Sequence, residues 1–351
     1  MEFKQLRTFV EVVRQGGFTQ AAKTLYVSQS AVSKQVAQLE ESLGVTLLDR
    51  HGSQVSLTAA GRIVLNRAEE MLVLRNGLLR ELDDLSHLAR GELNLGLPML
   101  GSDTLFAETF AEYRRRYPNV TIHLIEGGSR AIEQAVMSGE LELGGSLTPD
   151  DPAFAWQPFC DEPLDALLPA RHPLANLSEI ELSQLADTPF LLYQRSFVLN
   201  DRLLQACQQV GFTPKEGGRS GQADFLAALV AAGQGVVLLP QVVARALVRP
   251  GVVHVTLKAP PTLRWDIAFI WRKGAYLSKA AQAWLALLRE RIEYALGQHG
   301  AYLRACRAKV DGWIGELAGQ GELMCLSNGL YSPLMRMLDC CLRERGIKVV
   351  C

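Results

Sequence analysis

The chain has 351 residues, with 36 Lys and Arg against 37 Asp and Glu and a formal net charge of −1. Its hydrophobic fraction of 48% and charged fraction of 21% are those of an ordinary globular protein, and its length predicts two or three domains. These values exclude a disordered chain, a collagen-like chain, a disulfide scaffold and a polyanion binder with a wholly basic surface. A small basic module within a neutral chain remains compatible with them.

The first 45 residues predict three short helices. Apolar residues recur with helical spacing in three runs, which end at Gly16, at Tyr26 and near Gly44. Thr19 is expected to cap the second helix, and Ser28 or Ser30 the third. Two helices joined by a break of about three residues form a helix-turn-helix pattern, whose second helix reads DNA.

The third of these helices would be the recognition helix. Its outward positions all carry polar side chains: Gln29, Ser30, Ser33, Lys34, Gln35 and Gln38. Such side chains suit base edges and phosphates, but any surface helix has a polar face, so spacing alone leaves both interpretations open. Charge favours DNA, because residues 1–67 hold eight basic and five acidic residues (net +3), whereas the other 284 hold 28 and 32 (net −4).

A wing and a long helix are predicted next. Val55-Ser56-Leu57 suggests the strand of a winged helix, and a helix should run from Thr58 to about Ala89. Residues along it are spaced alternately by four and three positions, as in a coiled coil: Val64, Ala68, Met71, Arg75, Leu78, Leu82, Leu85 and Ala89. We expect this seam to pair with a second copy of the chain; packing on the body of the same chain is the alternative.

The alternation of strands and helices in residues 91–296 predicts a body of two α/β lobes, each with parallel strands, and a cleft between the lobes. Strands are expected at 92–97, 120–125, 141–144, 190–193, 236–239 and 265–271, and helices at 104–117, 130–137, 199–210, 223–232 and 277–296. Ligands bind α/β sheets at the carboxyl ends of their strands. The loops there carry five candidate effector-binding residues: Ser102, Thr104, Ser129, Tyr193 and Arg195. Backbone N–H groups at helix starts together with Arg195 predict a small carboxylate, although helix capping by the three hydroxyls would need no ligand.

The segments FVEVVRQGGFTQAAKTLYVSQSAVSKQVAQLEESLGVTLLDR and VSLTAAG resemble the N-terminal signature of the LysR-type transcriptional regulators. The resemblance implies a winged helix-turn-helix (1–65), a dimerising linker helix (58–89) and an effector-binding domain like periplasmic binding proteins (91–296), assembled as homodimers and homotetramers. It implies a sequence-specific regulator that binds promoter DNA under the control of a small effector, with RNA polymerase as a further candidate partner. Carried over by position, the DNA contacts are Gln29, Ser30, Ser33, Lys34 and Arg50.

Two positions depart from that pattern. Ser30 stands where many relatives have proline, which is pre-organised for a first helical position. Ser53 stands in the wing where relatives often carry a basic residue, so no DNA contact is assigned to it. A narrower resemblance, in LIEGGSRAIEQAV, FVLNDRL and WDIAFIWRKGAYLSKAAQAWL, is to a branch that controls acetate and overflow metabolism. It implies acetate or pyruvate as effector, unless these stretches are lobe-packing motifs.

Several other functions are not expected. The N-terminus lacks the apolar core of a signal peptide, and the longest apolar stretch, 227–248, is broken by Gly, Gln, Pro and Arg, so we expect a cytoplasmic protein away from membranes. Neither the six histidines nor the cysteines show metal-ligand spacing, so no metal or cofactor is expected, and no catalytic constellation suggests an enzyme. The alternative function is a small-molecule-binding protein whose helical head serves only for assembly.

The cysteines leave two questions open. Residues 297–351 form an atypical extension with five of the seven cysteines. It is expected to be an amphipathic extension or a reading-frame scar rather than a metal site. Cys207 is expected to be a buried thiol, with oxidation sensing as the alternative.

Overall fold

The computed structural model describes residues 1–49, 55–86 and 91–298. The chain divides into two compact units. The first contains residues 1–99, 112–157 and 269–283, and the second contains residues 100–111, 158–268 and those from Trp284 onward. The C-terminal extension beyond residue 298, together with its cysteines, lies outside the described residues.

The head is built from α1 (Phe3–Arg14), α2 (Phe18–Thr24), α3 (Gln29–Leu43) and the antiparallel pair β1 (Leu48–Asp49) and β2 (Ser56–Leu57). Its core combines the inward faces of the three helices with Leu47, Leu48 and Ala68 from the segments that follow. The residues from the helices are Leu6, Phe9, Val10, Val12, Ala21, Ala22, Val32, Val36 and Leu39. The predicted cap at Thr19 is wrong, because the N-cap of α2 is Gly17, two residues earlier. Ser28 caps α3, and Gly44, at φ 69°, ends that helix in the left-handed conformation that glycine adopts readily.

The linker helix α4 (Ala59–Ser86) starts at the wing. The Thr58 hydroxyl accepts the Gly61 N–H at 2.9 Å and donates to the Thr46 carbonyl oxygen at 2.8 Å, so one side chain joins the start of α4 to the segment that precedes β1. A Cβ on Gly61 would lie 2.1 Å from the Leu47 carbonyl oxygen. Only glycine therefore permits the helix to approach the wing this closely.

The body alternates strands and helices. In chain order its elements are β3 (Gly91–Pro98), α5 (Ser102–Arg116), β4 (Val120–Gly127), α6 (Ser129–Met137), β5 (Leu143–Leu147), β6 (Phe154–Glu162), β7 (Leu164–Pro169), β8 (Glu179–Glu181), a 3-10 turn (Leu182–Leu185), β9 (Phe190–Leu192), α7 (Val198–Gln209), β10 (Glu216–Arg219), α8 (Ala223–Ala231), β11 (Val237–Pro240), α9 (Gln241–Ala246), β12 (Val252–Lys258), β13 (Trp265–Arg272) and α10 (Lys279–Gln298). Every strand and helix predicted for the body is present, with ends that differ by a few residues.

The strands form two main sheets with different patterns. One has the order β4-β3-β5-β13-β6, and β3 is parallel to both β4 and β5, as predicted. The other has the order β11-β7-β12-β8, and β7 runs antiparallel to both β11 and β12. The expected parallel arrangement therefore holds for β3 with β4 and β5 and does not extend to β7 in the second unit. Five strands, β6, β7, β8, β10 and β12, were not predicted.

Candidate DNA-binding surface and effector-binding residues

The predicted DNA contacts on α3 lie on one face of the helix. Gln29, Ser30 and Lys34 are exposed and Ser33 is half-buried, while Val32, Val36 and Leu39 on the opposite face are fully buried. The Ser30 hydroxyl lies 3.0 Å from the hydroxyl of the capping residue Ser28. The fold therefore presents four polar side chains together at the start of the helix. Arg50 and Ser53 lie outside the described residues.

Gln35 differs from the sequence prediction, which placed it on the outward face. It is half-buried, and its amide oxygen is in hydrogen-bond contact with the hydroxyl of Thr8 in α1. Gln35 thus orients α3 on α1. Glu40 has a similar positioning role that the sequence did not reveal, since its carboxylate accepts the backbone N–H groups of Leu47 at 2.7 Å and Leu48 at 3.2 Å. The wing strand is therefore held directly to the recognition helix.

One face of the linker helix is bound to the body within the first unit. The Asn76 amide donates to the Gly139 carbonyl at 3.1 Å, and a Cβ on Gly139 would lie 2.8 Å from Val73. Further along, the Arg80 guanidinium lies 3.7 Å from the Glu142 carboxylate. These contacts recur every three or four residues, which places them on one side of the helix.

The docked end of the linker helix meets the start of α10. The Asp84 carboxylate accepts hydrogen bonds from the Lys279 N–H at 2.9 Å and from the Tyr276 hydroxyl at 2.8 Å. The hydrogen bond from Tyr276, more than burial, raises the pKa of that tyrosine to about 12. Glu142 accepts the N–H of Ser278 at 2.5 Å and its hydroxyl at 3.0 Å. Burial raises the pKa of Glu142 above its usual range, and the charge of Arg80 opposes that shift.

The opposite face of the linker helix is apolar and exposed. Met71, Leu74, Leu78 and Leu82 are 38%, 74%, 56% and 52% exposed. Three of these, Met71, Leu78 and Leu82, belong to the predicted seam, whose first half is wrong because Val64 and Ala68 pack against the core of the head. Arg75, the polar residue of the seam, is exposed, and its guanidinium lies 5.6 Å from the centre of the Phe3 ring. Ala89 and the side chain of Leu85 lie outside what the structure describes.

The predicted effector residues occupy different positions in the two units. In the first unit, Ser129 is the first residue of α6 and is 8% exposed; the N-cap is Gly128, without a side-chain cap. In the second unit, Ser102 is the half-buried first residue of α5, and the exposed Thr104 hydroxyl donates to Asp103 at 3.3 Å. Helix capping by Ser129 is therefore not observed.

Tyr193 and Arg195 share a loop after β9 and differ in burial. Tyr193 is 2% exposed, its hydroxyl donates to the Leu238 carbonyl at 2.7 Å, and burial raises its pKa. This corrects the prediction that Tyr193 binds the effector, because its polar atom is already used inside the core. Arg195 is exposed, and its charge contributes, after that of Arg219, to lowering the pKa of Glu216. Asn200, missed in the sequence, holds this loop by donating to the carbonyls of Tyr193 and Gln194 at 3.0 and 2.8 Å.

A cavity of about 1090 Å³ lies in the first unit between α1, the linker helix, β3, β4 and the start of α10. Its walls mix charges of both signs, including Arg14 and Glu140, which lie 3.5 Å apart. None of the five predicted effector residues lines it. Neither of the two described cysteines forms a disulfide, and burial raises the pKa of Cys207 to about 12, which disfavours the reactive thiolate.

Two family models match the chain. Residues 3–62 match the bacterial regulatory helix-turn-helix protein of the lysR family, and residues 86–293 match the LysR substrate binding domain. The protein belongs to the LysR family of DNA-binding transcriptional regulators, which are not enzymes, and carries an effector-binding domain. The extension after residue 298 lies beyond both matched regions.

Individual relatives agree with this assignment. The chain is 37% identical over 286 residues to YwbI, an uncharacterised HTH-type transcriptional regulator of Bacillus subtilis, covering 81% of this chain and 95% of the relative. Full-length OxyR from Pseudomonas aeruginosa, solved as a cysteine variant, matches with a TM-score of 0.59 at 25% identity, covering 82% and 95% of the two chains. Full-length CbnR, solved in complex with its target DNA, shares the fold with a TM-score of 0.52 at 24% identity, covering 83% and 99%. Within the described residues, no helix is long and apolar enough to cross a membrane.

Proposed function

We propose that α3 enters the major groove and that Gln29, Ser30, Ser33 and Lys34 contact the operator. The single observation that carries this is the polar face at the start of α3, set against a core face that is fully buried. Gln29 suits an adenine edge, whereas the charge of Lys34 suits phosphate. Arg50 is kept as a further phosphate contact on the family resemblance alone.

The exposed apolar stripe of the linker helix supports dimerisation. Met71, Leu74, Leu78 and Leu82 follow the spacing of a helix-pairing face, and the polar contacts of Asn76, Arg80 and Asp84 occupy the other side. A second copy of this helix would cover the stripe. Two recognition helices would then reach successive major grooves, and two such dimers would form the tetramer that the family resemblance implies.

The effector is proposed to be a small carboxylate, with acetate as the first candidate. Ser102, Thr104, Ser129 and Arg195 are the contacts, since Arg195 supplies an exposed positive charge and the other three lie in the first turn of a helix, where backbone N–H groups lack helical partners. Tyr193 is placed instead among the residues that support the loop. The protein would act in the cytoplasm, with promoter DNA and RNA polymerase as its partners.

The test is a salt-titrated binding assay of the full chain on the DNA that flanks its gene, with and without acetate, pyruvate and other small carboxylates. We expect salt-sensitive binding to a discrete palindromic site and a footprint that changes with one of these acids. In Arg195→Gln the footprint should persist while its response to the acid is lost. Arg171→Gln, which removes another exposed arginine of the second unit, is the matched control and should respond normally. A response unaltered in Arg195→Gln would refute the proposed carboxylate contact.

A further inference from the structure

Tyr26, in the turn of the helix-turn-helix, has a backbone conformation that its residue type disfavours. Its φ of 55° makes it the one non-glycine residue at positive φ in the part of the chain that the structure describes. Two hydrogen bonds define the turn: the Val27 N–H donates to the Ala22 carbonyl at 3.0 Å, and the Tyr26 N–H donates to the Lys23 carbonyl at 3.2 Å. This is the Schellman motif, in which the residue at Tyr26 is usually glycine.

The fold does not account for a tyrosine at this position. Tyr26 is 95% exposed, so its ring gains almost no burial to offset the left-handed backbone. Glycine would form the same turn without strain, and asparagine would do so with less strain than tyrosine. Residues that are held in a left-handed backbone conformation disfavoured by their residue type are concentrated at functional sites. The side chain is therefore expected to act on something outside the chain.

The position of Tyr26 indicates what it contacts. It lies two residues before the N-cap of α3, next to the exposed face that carries Gln29 and Ser30. A major groove about 12 Å wide is filled by a helix about 10–12 Å across, so a side chain beside the helix start meets the strands that border the groove. A tyrosine hydroxyl donates well to phosphate oxygens.

We propose, on the basis of the docking of α3 in the major groove proposed above, that Tyr26 is a positioning residue that donates a hydrogen bond to a DNA phosphate and so sets the depth and angle of the recognition helix. Such a contact carries no sequence information and no charge. It should raise affinity equally for every duplex and leave the salt dependence unchanged, unlike a lysine contact.

The experiment measures binding of the full chain to two labelled duplexes of unrelated sequence across a salt series. Tyr26→Phe removes only the hydroxyl and should weaken binding about threefold, and Tyr26→Gly about tenfold, on both duplexes with unchanged salt slopes. Tyr26→Gly should meanwhile keep or raise the melting temperature, because it relieves the left-handed strain. Lys34→Gln, at the phosphate contact proposed above, is the comparison that should flatten the slope, and Tyr117→Phe, a tyrosine of the body, should bind as the unaltered protein does.

Three results would overturn the proposal. If both Tyr26 variants bind within twofold of the unaltered protein, the residue serves only the turn. If Tyr26→Gly loses DNA affinity and melts at a lower temperature, the loss reflects folding. If Tyr26→Phe is unaffected while Tyr26→Gly is weakened, the ring and not the hydroxyl makes the contact, and the hydrogen bond is refuted.

Discussion

Asp84, near the end of the linker helix, accepts a hydrogen bond at 2.9 Å from the backbone N–H of Lys279, the first residue of α10 and 195 positions away in sequence. The Lys279 ammonium in turn donates to the Asp84 carbonyl at 3.0 Å. Because the first N–H groups of a helix lack partners within it and bear partial positive charge, a carboxylate there is favourable. The helix that leaves the DNA-binding head is thus tied to an element of the body.

Removal of that carboxylate should loosen the start of α10. We expect Asp84→Ala to cost about 1 kcal/mol, the usual value for a lost N-terminal cap, and to speed hydrogen exchange of the first-turn amides of α10. Hydrogen-exchange mass spectrometry of the peptide around residues 276–284 measures this. Glu81→Ala, an exposed acid on the same helix, is the control. Equal exchange in the two variants would contradict the structural role of Asp84.

Glu142 should give the protein a specific pH dependence. Burial raises the pKa of its carboxyl, so between the ordinary pKa and the raised value the folded protein holds a proton that the unfolded chain has released. The contribution of Glu142 to the free energy of unfolding therefore falls as pH rises through that range, and is lowest above it. Because the glutamine of Glu142→Gln does not titrate, the free energy of unfolding of this variant should depend less on pH.

The measurement is urea denaturation of the unaltered protein and Glu142→Gln at pH values from about 5 to about 8. The free energy of unfolding of the variant should improve relative to the unaltered protein as pH rises, while groups common to both cancel. Arg80→Gln is a useful second variant, because loss of the opposing charge should steepen the effect. Parallel curves for all three proteins would show that Glu142 does not titrate in this way.

Lys34 and Gln29 should be separable by their effects on DNA binding. If Lys34 meets a phosphate, Lys34→Gln weakens binding to all sequences and lowers the slope of log affinity against log salt by about 1. If Gln29 reads an adenine, Gln29→Ala costs about 1–3 kcal/mol at one base pair and leaves the slope unchanged. Fluorescence anisotropy on the operator and on single-base variants distinguishes them. Lys273→Gln, in the body, should alter neither quantity.

Leu78 should control self-association. Its side chain is 56% exposed in the middle of the apolar stripe of the linker helix, and in a symmetric dimer each substitution is present twice. Leu78→Asp should therefore lose about 3 kcal/mol of association free energy or more, roughly a hundredfold in the dimer dissociation constant. Sedimentation velocity gives the masses. Val248→Asp, at an 89% exposed position of the second unit, is the control that tests whether any new surface charge weakens the dimer. If Leu78→Asp leaves the dimer unchanged, the apolar stripe is not its interface.

Local sequence patterns predicted the three helices of the head, although not the cap of α2 or the contact of Gln35 with α1. The helices of the head follow from periodic apolar residues and from the properties of single positions, such as the left-handed glycine at Gly44 and the side-chain cap at Ser28. The polar residues at the start of α3 could be placed because a helix face depends only on spacing along the chain. The same reasoning failed at β7 and β12, where short apolar runs do not reveal their partners and the antiparallel pairing joins distant segments.

The sequence by itself determined which residues could lie on each face of α4, whereas only the tertiary structure decided what each face contacts. Val64 and Ala68 have the spacing of a helix-pairing seam, yet Ala68 is buried and Val64 half-buried against the core of the head, because its three helices leave an apolar surface for them to cover. Likewise Tyr193 ends a predicted strand near candidate ligand residues, but the Leu238 carbonyl, 45 positions away, takes its hydroxyl. Periodicity is a property of neighbouring residues; burial and hydrogen-bond partners depend on segments that come together only when the chain folds.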